Sequence, residues 1–97
     1  MRVAPGVTSV WAQYTLRLEG RDREAFRASL NAAGVPTAVH YPKPVHHQSA
    51  YAAYPRATGG LPVSEQLAAE VISLPMHAYL DEATQDRIIA AVIAAAA

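Results

Sequence analysis

Apolar and polar residues alternate from Ser9 to Glu19. Val10, Ala12, Tyr14, Leu16 and Leu18 fall on one side, and Trp11, Gln13, Thr15, Arg17 and Glu19 on the other. A period of two over that length predicts a long strand with one buried and one polar face. Gly20 ends it, and Asp22 is placed to cap a helix whose narrow apolar stripe is Phe26, Leu30 and Ala33. Gly34 suits the left-handed position just past that helix. Pro36 forces an extended entry into a short strand, Thr37 to Tyr41, and Pro42 and Pro44 stop it because neither can donate to a ladder.

A short helix near Gln48 to Tyr54 follows, then the Gly59-Gly60 turn. Ser64 or Pro62 starts the next helix, in which Leu67 and Val71 share a face. Ile72 to Leu74 add a brief strand before Pro75. Asp81 caps a last helix with Ile88, Val92 and either Ile89 or Ile93 as its buried stripe. The alanine tail, Ala94 to Ala97, ends that helix with little to hold it down, and residues 1–8 lack periodicity and read as an arm or linker before a unit spanning 9–97. The order predicts a small two-layer α/β unit, α+β in type, with a short sheet covered by helices.

Composition narrows this picture. Ninety-seven residues make at most one domain or part of a larger one, burying only about 60–65% of the unfolded surface. The apolar share is 52%, but alanine supplies much of it, and a single Trp and a single Phe leave the core modest. Eight basic and eight acidic residues balance, so no cationic field selects nucleic acid or an anionic membrane. Without cysteine, disulfides, thiolate chemistry and cysteine-ligated zinc are excluded. No signal-peptide pattern or long apolar run is seen, which makes a cytoplasmic location the expectation.

Four histidines raise a metal hypothesis. His46 and His47 are adjacent, so a strand points them apart and a helix separates them by about 100°. No acid lies between Glu24 and Glu65, and zinc sites lacking Cys usually need a carboxylate. No metal site is therefore expected. Ser49 and Ser73 lack an elbow pattern around a nucleophile, and the acids sit mainly on helix surfaces or caps. Gly59-Gly60 has neither the repeated glycine spacing nor the lysine of a phosphate cradle. The loop His40-Tyr41-Pro42-Lys43-Pro44-Val45-His46-His47 is more distinctive. Imidazole and phenol groups on a proline-braced turn can hydrogen-bond sugar hydroxyls or phosphate oxygens, and tyrosine offers a flat face to a sugar or base. Ordinary surface or packing histidines remain the alternative.

The run Val39-His40-Tyr41-Pro42-Lys43-Pro44-Val45-His46, followed by Gln48 and Tyr51, is similar to a hallmark of the DegT/StrS family of sugar-nucleotide aminotransferases. Other pieces stand in that family's order: Ser9-Val10-Trp11-Ala12-Gln13-Tyr14-Thr15-Leu16, Arg21-Asp22, Leu30 with Gly34-Val35-Pro36-Thr37, Leu61-Pro62-Val63-Ser64-Glu65, and Ser73-Leu74-Pro75-Met76-His77. The resemblance spans residues 5 to 93 but only the last quarter or so of such an enzyme.

The resemblance implies the small C-terminal domain of a fold-type-I, pyridoxal-phosphate-dependent (PLP) transaminase. Such enzymes move an amino group, usually from glutamate, onto a nucleotide-linked keto-sugar, and the resemblance is greatest to the branch acting at C3 for surface polysaccharide. It implies an upstream large cofactor domain and a homodimer. His40 and Tyr41 would line the substrate pocket, with Trp11, Gln13 and His77 near the same cleft. The Schiff-base lysine would lie upstream, since Lys43 does not match its motif. The expectation is that no catalytic residue lies in this chain, and that alone it binds no PLP and is inactive. The rival expectation is a non-catalytic sugar-nucleotide-binding or subunit-docking domain.

Overall fold

In the computed structural model, which describes residues 3–97, the short sheet and its helical cover are both present. The elements are β1 (Tyr14–Arg17), α1 (Arg23–Ala32), two 3₁₀ turns (Val45–His47 and Ser49–Tyr51), α2 (Pro62–Glu70), β2 (Val71–Leu74) and α3 (Glu82–Ala96). β1 and β2 run antiparallel, pairing Tyr14 with Leu74, Thr15 with Ser73, Leu16 with Ile72 and Arg17 with Val71. Leu18, Phe26, Leu30, Val35, Ile72 and Ile88 form the core, with Leu16, Leu74, Leu80, Val92 and Ala95 packed around it.

Local signals set the helix ends. The Asp22 carboxylate accepts from the Glu24 and Ala25 amides at the start of α1. At its other end Gly34 has φ +74°, Val35 N–H donates to the Leu30 carbonyl at 2.9 Å, and Val35 packs with Leu30. This left-handed closure satisfies free carbonyls and turns the chain toward the sheet. Pro62, rather than Ser64, opens α2, where its missing N–H costs nothing. Asp81 caps α3 through the Thr84 amide at 2.7 Å.

Several expected elements are shorter. The strand expected from 9 to 19 pairs only over Tyr14–Arg17, because its partner is short: α2 runs directly into β2 at Glu70, and Pro75 ends it. Beyond the ladder the pattern fails, since Val10 is 96% exposed and Trp11 has φ 45°. The strand expected from Thr37 to Tyr41 reduces to one bridge, Ala38 with Ser73. Extending it one way would pair Pro36 with Pro75, neither of which has an N–H, and at His40 the chain bends away. The helix near 48–54 is replaced by the two 3₁₀ turns.

Packing also differs in detail. Ala33 is exposed at the end of α1, and Val35 takes its place in the core. Val71 belongs to β2, and the buried residue of α2 is Ala68, with Leu67 partly exposed. Of the α3 stripe Ile88 is buried and Val92 half-buried, whereas Ile89 and Ile93 are exposed. The alanine tail is held: Ala95 and Ala96 pack on the core, and Arg21 donates to the Ala96 carbonyl at 2.6 Å. The expected arm, 1–8, extends past the described residues at 1 and 2; Val7 N–H closes a turn on the Ala4 carbonyl. Among the described residues no helix is long and apolar enough to cross a membrane.

Two carboxylates tie this frame to pH. The Arg17 guanidinium hydrogen-bonds Glu70 across the sheet and, with Gln66, holds its carboxyl below the usual range. The Thr84 amide does the same to Asp81. A carboxyl depressed in the folded state contributes stability above its unfolded pKa, about 3.9–4.3, and that stability is lost as pH falls through the folded value. The thermal midpoint followed by circular dichroism is therefore expected to fall as pH is lowered from about 4.5 toward 2.5. An unchanged midpoint across that range would contradict both assignments.

Candidate functional site

β2 is the spine of the site. Its register places Ser73, 5% exposed, opposite Thr15 on one side and Ala38 on the other. The Ser73 and Thr15 hydroxyls lie 3.0 Å apart, and Ser73 Oγ lies 3.4 Å from His40 Nδ1. The Ala38 backbone exchanges bonds of 3.1 and 2.7 Å with Ser73. The imidazole of His40 is thus tethered to the sheet two residues after the chain leaves it. Tyr41 follows through a cis peptide, its ring 5.8 Å from the His40 ring and nearly edge-on at 77°.

His40 and Tyr41 stand on the wall of a groove of about 580 Å³. Lys43, Tyr51, Tyr54 and Arg56 continue that wall, and Leu67, Ala68 and Val71 make the apolar opposite side. Leu67 and Val71 therefore share a surface, but in the groove rather than in the core. The groove combines two cations, several phenols and an apolar side, a set able to hold an anionic group beside a flat ring. Tyr41 is 74% exposed, so its face and hydroxyl are available.

The other expected residues are divided between two hollows that share Leu74, Pro75 and Met76. Gln13 joins His40, Thr37 and Ser73 in one of about 380 Å³. Trp11 and His77 face another of about 390 Å³ with Tyr14, Leu80 and Ile89. The structure therefore brings Gln13 to His40, and His40 to Tyr41, while Trp11 and His77 form a separate pair. His77 Nδ1 is occupied in accepting the Tyr79 amide at 3.2 Å. Ser73 and Thr37 are additions to the expected set. Thr37 Oγ1 is buried with no partner among the described residues, leaving a spare hydroxyl at the hollow that also holds Gln13. The pairing of two hydroxyl residues, Thr15 and Ser73, was the available signal, but it needs the register to be read.

The paired histidines depart from the expected divergence. In the 3₁₀ turn their ring centroids are 4.3 Å apart, and Glu65, from the first turn of α2, meets both. Glu65 Oε1 lies 3.0 Å from His46 Nε2 and 3.5 Å from His47 Nε2. The hydrogen bond from His46, with the charges of His47, His46 and Arg56, holds the Glu65 carboxyl below its usual range against a partial loss of hydration.

The residues do not form a PLP site. Lys43 is the sole lysine of the chain and sits exposed between two prolines, where nothing buries or desolvates an amine for Schiff-base chemistry.

Comparison with known proteins gives this arrangement a context. Residues 1–93 match the DegT/DnrJ/EryC1/StrS aminotransferase family. The chain is 53% identical over 83 residues to the UDP-2-acetamido-2-deoxy-3-oxo-D-glucuronate aminotransferase of Pseudomonas aeruginosa, covering 86% of this chain and 22% of that protein. It is 42% identical over 89 residues to the dTDP-3-amino-3,4,6-trideoxy-alpha-D-glucose transaminase of Streptomyces venezuelae, covering 92% and 23%. A crystal structure of a DegT DnrJ EryC1 StrS aminotransferase from Brucella abortus superposes with a TM-score of 0.87 at 45% identity, covering 96% of this chain and 24% of the other. The chain spans less than a quarter of the length of these proteins.

Proposed function

This chain belongs to the DegT/DnrJ/EryC1/StrS aminotransferase family, and we propose that it is the C-terminal small domain of a sugar-nucleotide transaminase. The observation carrying this reading is His40, tethered by Ser73 at the edge of a groove walled by Tyr41, Lys43 and Arg56. In it His40 and Tyr41 hydrogen-bond the sugar or stack on it, and Lys43 and Arg56 supply charge for a diphosphate. Gln13 reaches the substrate from the adjoining hollow that it shares with His40, and Trp11 and His77 line a separate hollow beyond Leu74, Pro75 and Met76. The substrate is a nucleotide-linked keto-sugar, aminated at C3 with glutamate as donor, for surface polysaccharide made in the cytoplasm. The names of the relatives, each acting on a UDP- or dTDP-linked sugar, support that class.

Aminotransferases of this family depend on PLP, which supplies the electron sink that lets the amino group change carrier. Because Lys43 does not fit that role, the cofactor and its lysine are assigned to an upstream large domain, with residues 1–8 as the linker and a homodimer as the assembly. A radius of gyration of 16.1 Å, against about 13 Å for a free-standing domain of 100 residues, supports a partner surface.

The test has two arms. The 97-residue chain incubated with PLP and borohydride is expected to trap no stoichiometric adduct, and a trapped adduct on Lys43 would refute the division of labour. The longer protein containing it, given glutamate and keto-sugar nucleotides, is expected to form an amino-sugar nucleotide; failure with every UDP and dTDP substrate would refute the substrate class.

A further inference from the structure

Outside the roles assigned to His40 and Tyr41, one cluster has the make-up of a ligand set. His46, His47 and Glu65 each offer a donor atom, and all three donors lie within 4.8 Å of one another. We propose that His46 Nε2, His47 Nε2 and a Glu65 carboxylate oxygen bind a divalent cation of the zinc class at the rim of the groove.

Adjacent histidines rarely converge, because strand and helix geometry both separate them. Here the backbone is turned by a 3₁₀ segment entered through Pro44, with His47 N–H bonded to the Pro44 carbonyl and Gln48 N–H to the Val45 carbonyl, each at 3.0 Å. Arg56 fastens the same turn by donating to the His46 carbonyl at 3.0 Å. The two rings are brought side by side by backbone bonds that do not depend on any ion. Glu65 is supplied independently, by a helix whose start is fixed by Pro62.

Two of the three donor spacings match a tetrahedral ion, and the third, between the imidazole nitrogens, lies within 4.8 Å. Ligands about 2.0–2.1 Å from a tetrahedral zinc lie roughly 3.3 Å from one another. The carboxylate oxygen stands 3.0 and 3.5 Å from the two imidazole nitrogens. Two histidines and one glutamate make a three-ligand set with a position left open. His46 is 10% exposed in its side chain, whereas His47 and Glu65 are 42% and 45% exposed. One ligand is thus anchored in the groove wall, and the other two are open to solvent. The Arg56 guanidinium opposes a cation, so affinity well below that of a closed structural zinc site is expected. Binding replaces the hydrogen bond between His46 and Glu65 by two metal–ligand bonds, the neutral imidazole carrying its proton on Nδ1 when Nε2 holds the ion.

The probe is Co2+, added to the 97-residue chain and then displaced by Zn2+, with visible absorption and calorimetry as readouts. The expected result is one ion per chain, with the intense d–d bands of a tetrahedral centre that Zn2+ abolishes. Glu65→Gln and His47→Gln should each weaken binding at least about tenfold, as Asp86→Asn on α3 should not. Both ligand substitutions are at exposed side chains, and far-UV circular dichroism checks that the fold is kept. No saturable binding, bands of an octahedral aquo ion, or an affinity that survives both substitutions would each overturn the site. The last result would assign the ion to other donors.

Discussion

Leu30→Ala is expected to lower the stability of this domain by about 2–5 kcal/mol, the cost of emptying a fully buried core position. Leu30 is wholly buried, with 0% of its surface exposed, and it sits where α1, Val35 and Ile72 meet. Its carbonyl also accepts the Val35 amide that closes the helix. The backbone bond survives the substitution, so the loss is burial plus the cavity left behind. A domain of this length has roughly 5–15 kcal/mol in total, and each kcal/mol shifts its melting point by about 4–8 °C. A drop of about 8–40 °C is therefore expected in thermal unfolding. Val10→Ala provides the contrast, since Val10 is 96% exposed and should change stability by less than about 0.5 kcal/mol. A Leu30 variant that melts within a few degrees of the parent would mean that the core is elsewhere.

The largest functional effect is expected at His40, in the transaminase proposed to contain this chain. His40→Ala removes a hydrogen-bonding group aimed at a charged or hydroxylated substrate, worth about 1.5–3 kcal/mol, so kcat/KM should fall roughly 10- to 150-fold. Tyr41→Phe keeps the ring face and deletes the hydroxyl, whereas Tyr41→Ala deletes both, so their difference separates stacking from hydrogen bonding. Ser73→Ala tests positioning: it frees the imidazole without removing it, and the expected loss is smaller, up to roughly tenfold. Steady-state kinetics with the sugar nucleotide varied reads all four. Unchanged kcat/KM in the His40 and both Tyr41 variants would remove these residues from the site.

What the sequence made legible is what short-range chemistry decides. Asp22, Pro62 and Asp81 start helices where their residue types say they should, and Phe26 and Leu30 face inward because one helix turn separates them. The length of β1 was not legible, because Glu70 and Pro75 set it from more than fifty residues away. Among the described residues the alternation at Val10 and Ala12 has no partner strand to make it count. The same limit hid the convergence on Glu65: the turn type at His46 and His47 and the phase of α2 are both needed, and neither is a local pattern. His40 and Tyr41 were legible as a motif, but the anchoring of His40 by Ser73 appears only with the register.

The seamless passage from α2 into β2 makes a single lever of the groove's apolar side and the anchor of His40. Leu67 and Ala68 lie within one helical turn of the junction, and Ser73 lies three residues beyond Glu70. No slack exists there to absorb a change in length. One added residue after Glu70 would turn Ser73 to the opposite face of the sheet, swapping a hydroxyl for a neighbour's aliphatic chain beside His40. The turn from Ala57 to Gly60, exposed throughout and past the groove-lining Arg56, carries no such coupling. Length variation is thus expected to collect in that stretch, leaving the span from Pro62 to Pro75 constant in residue count.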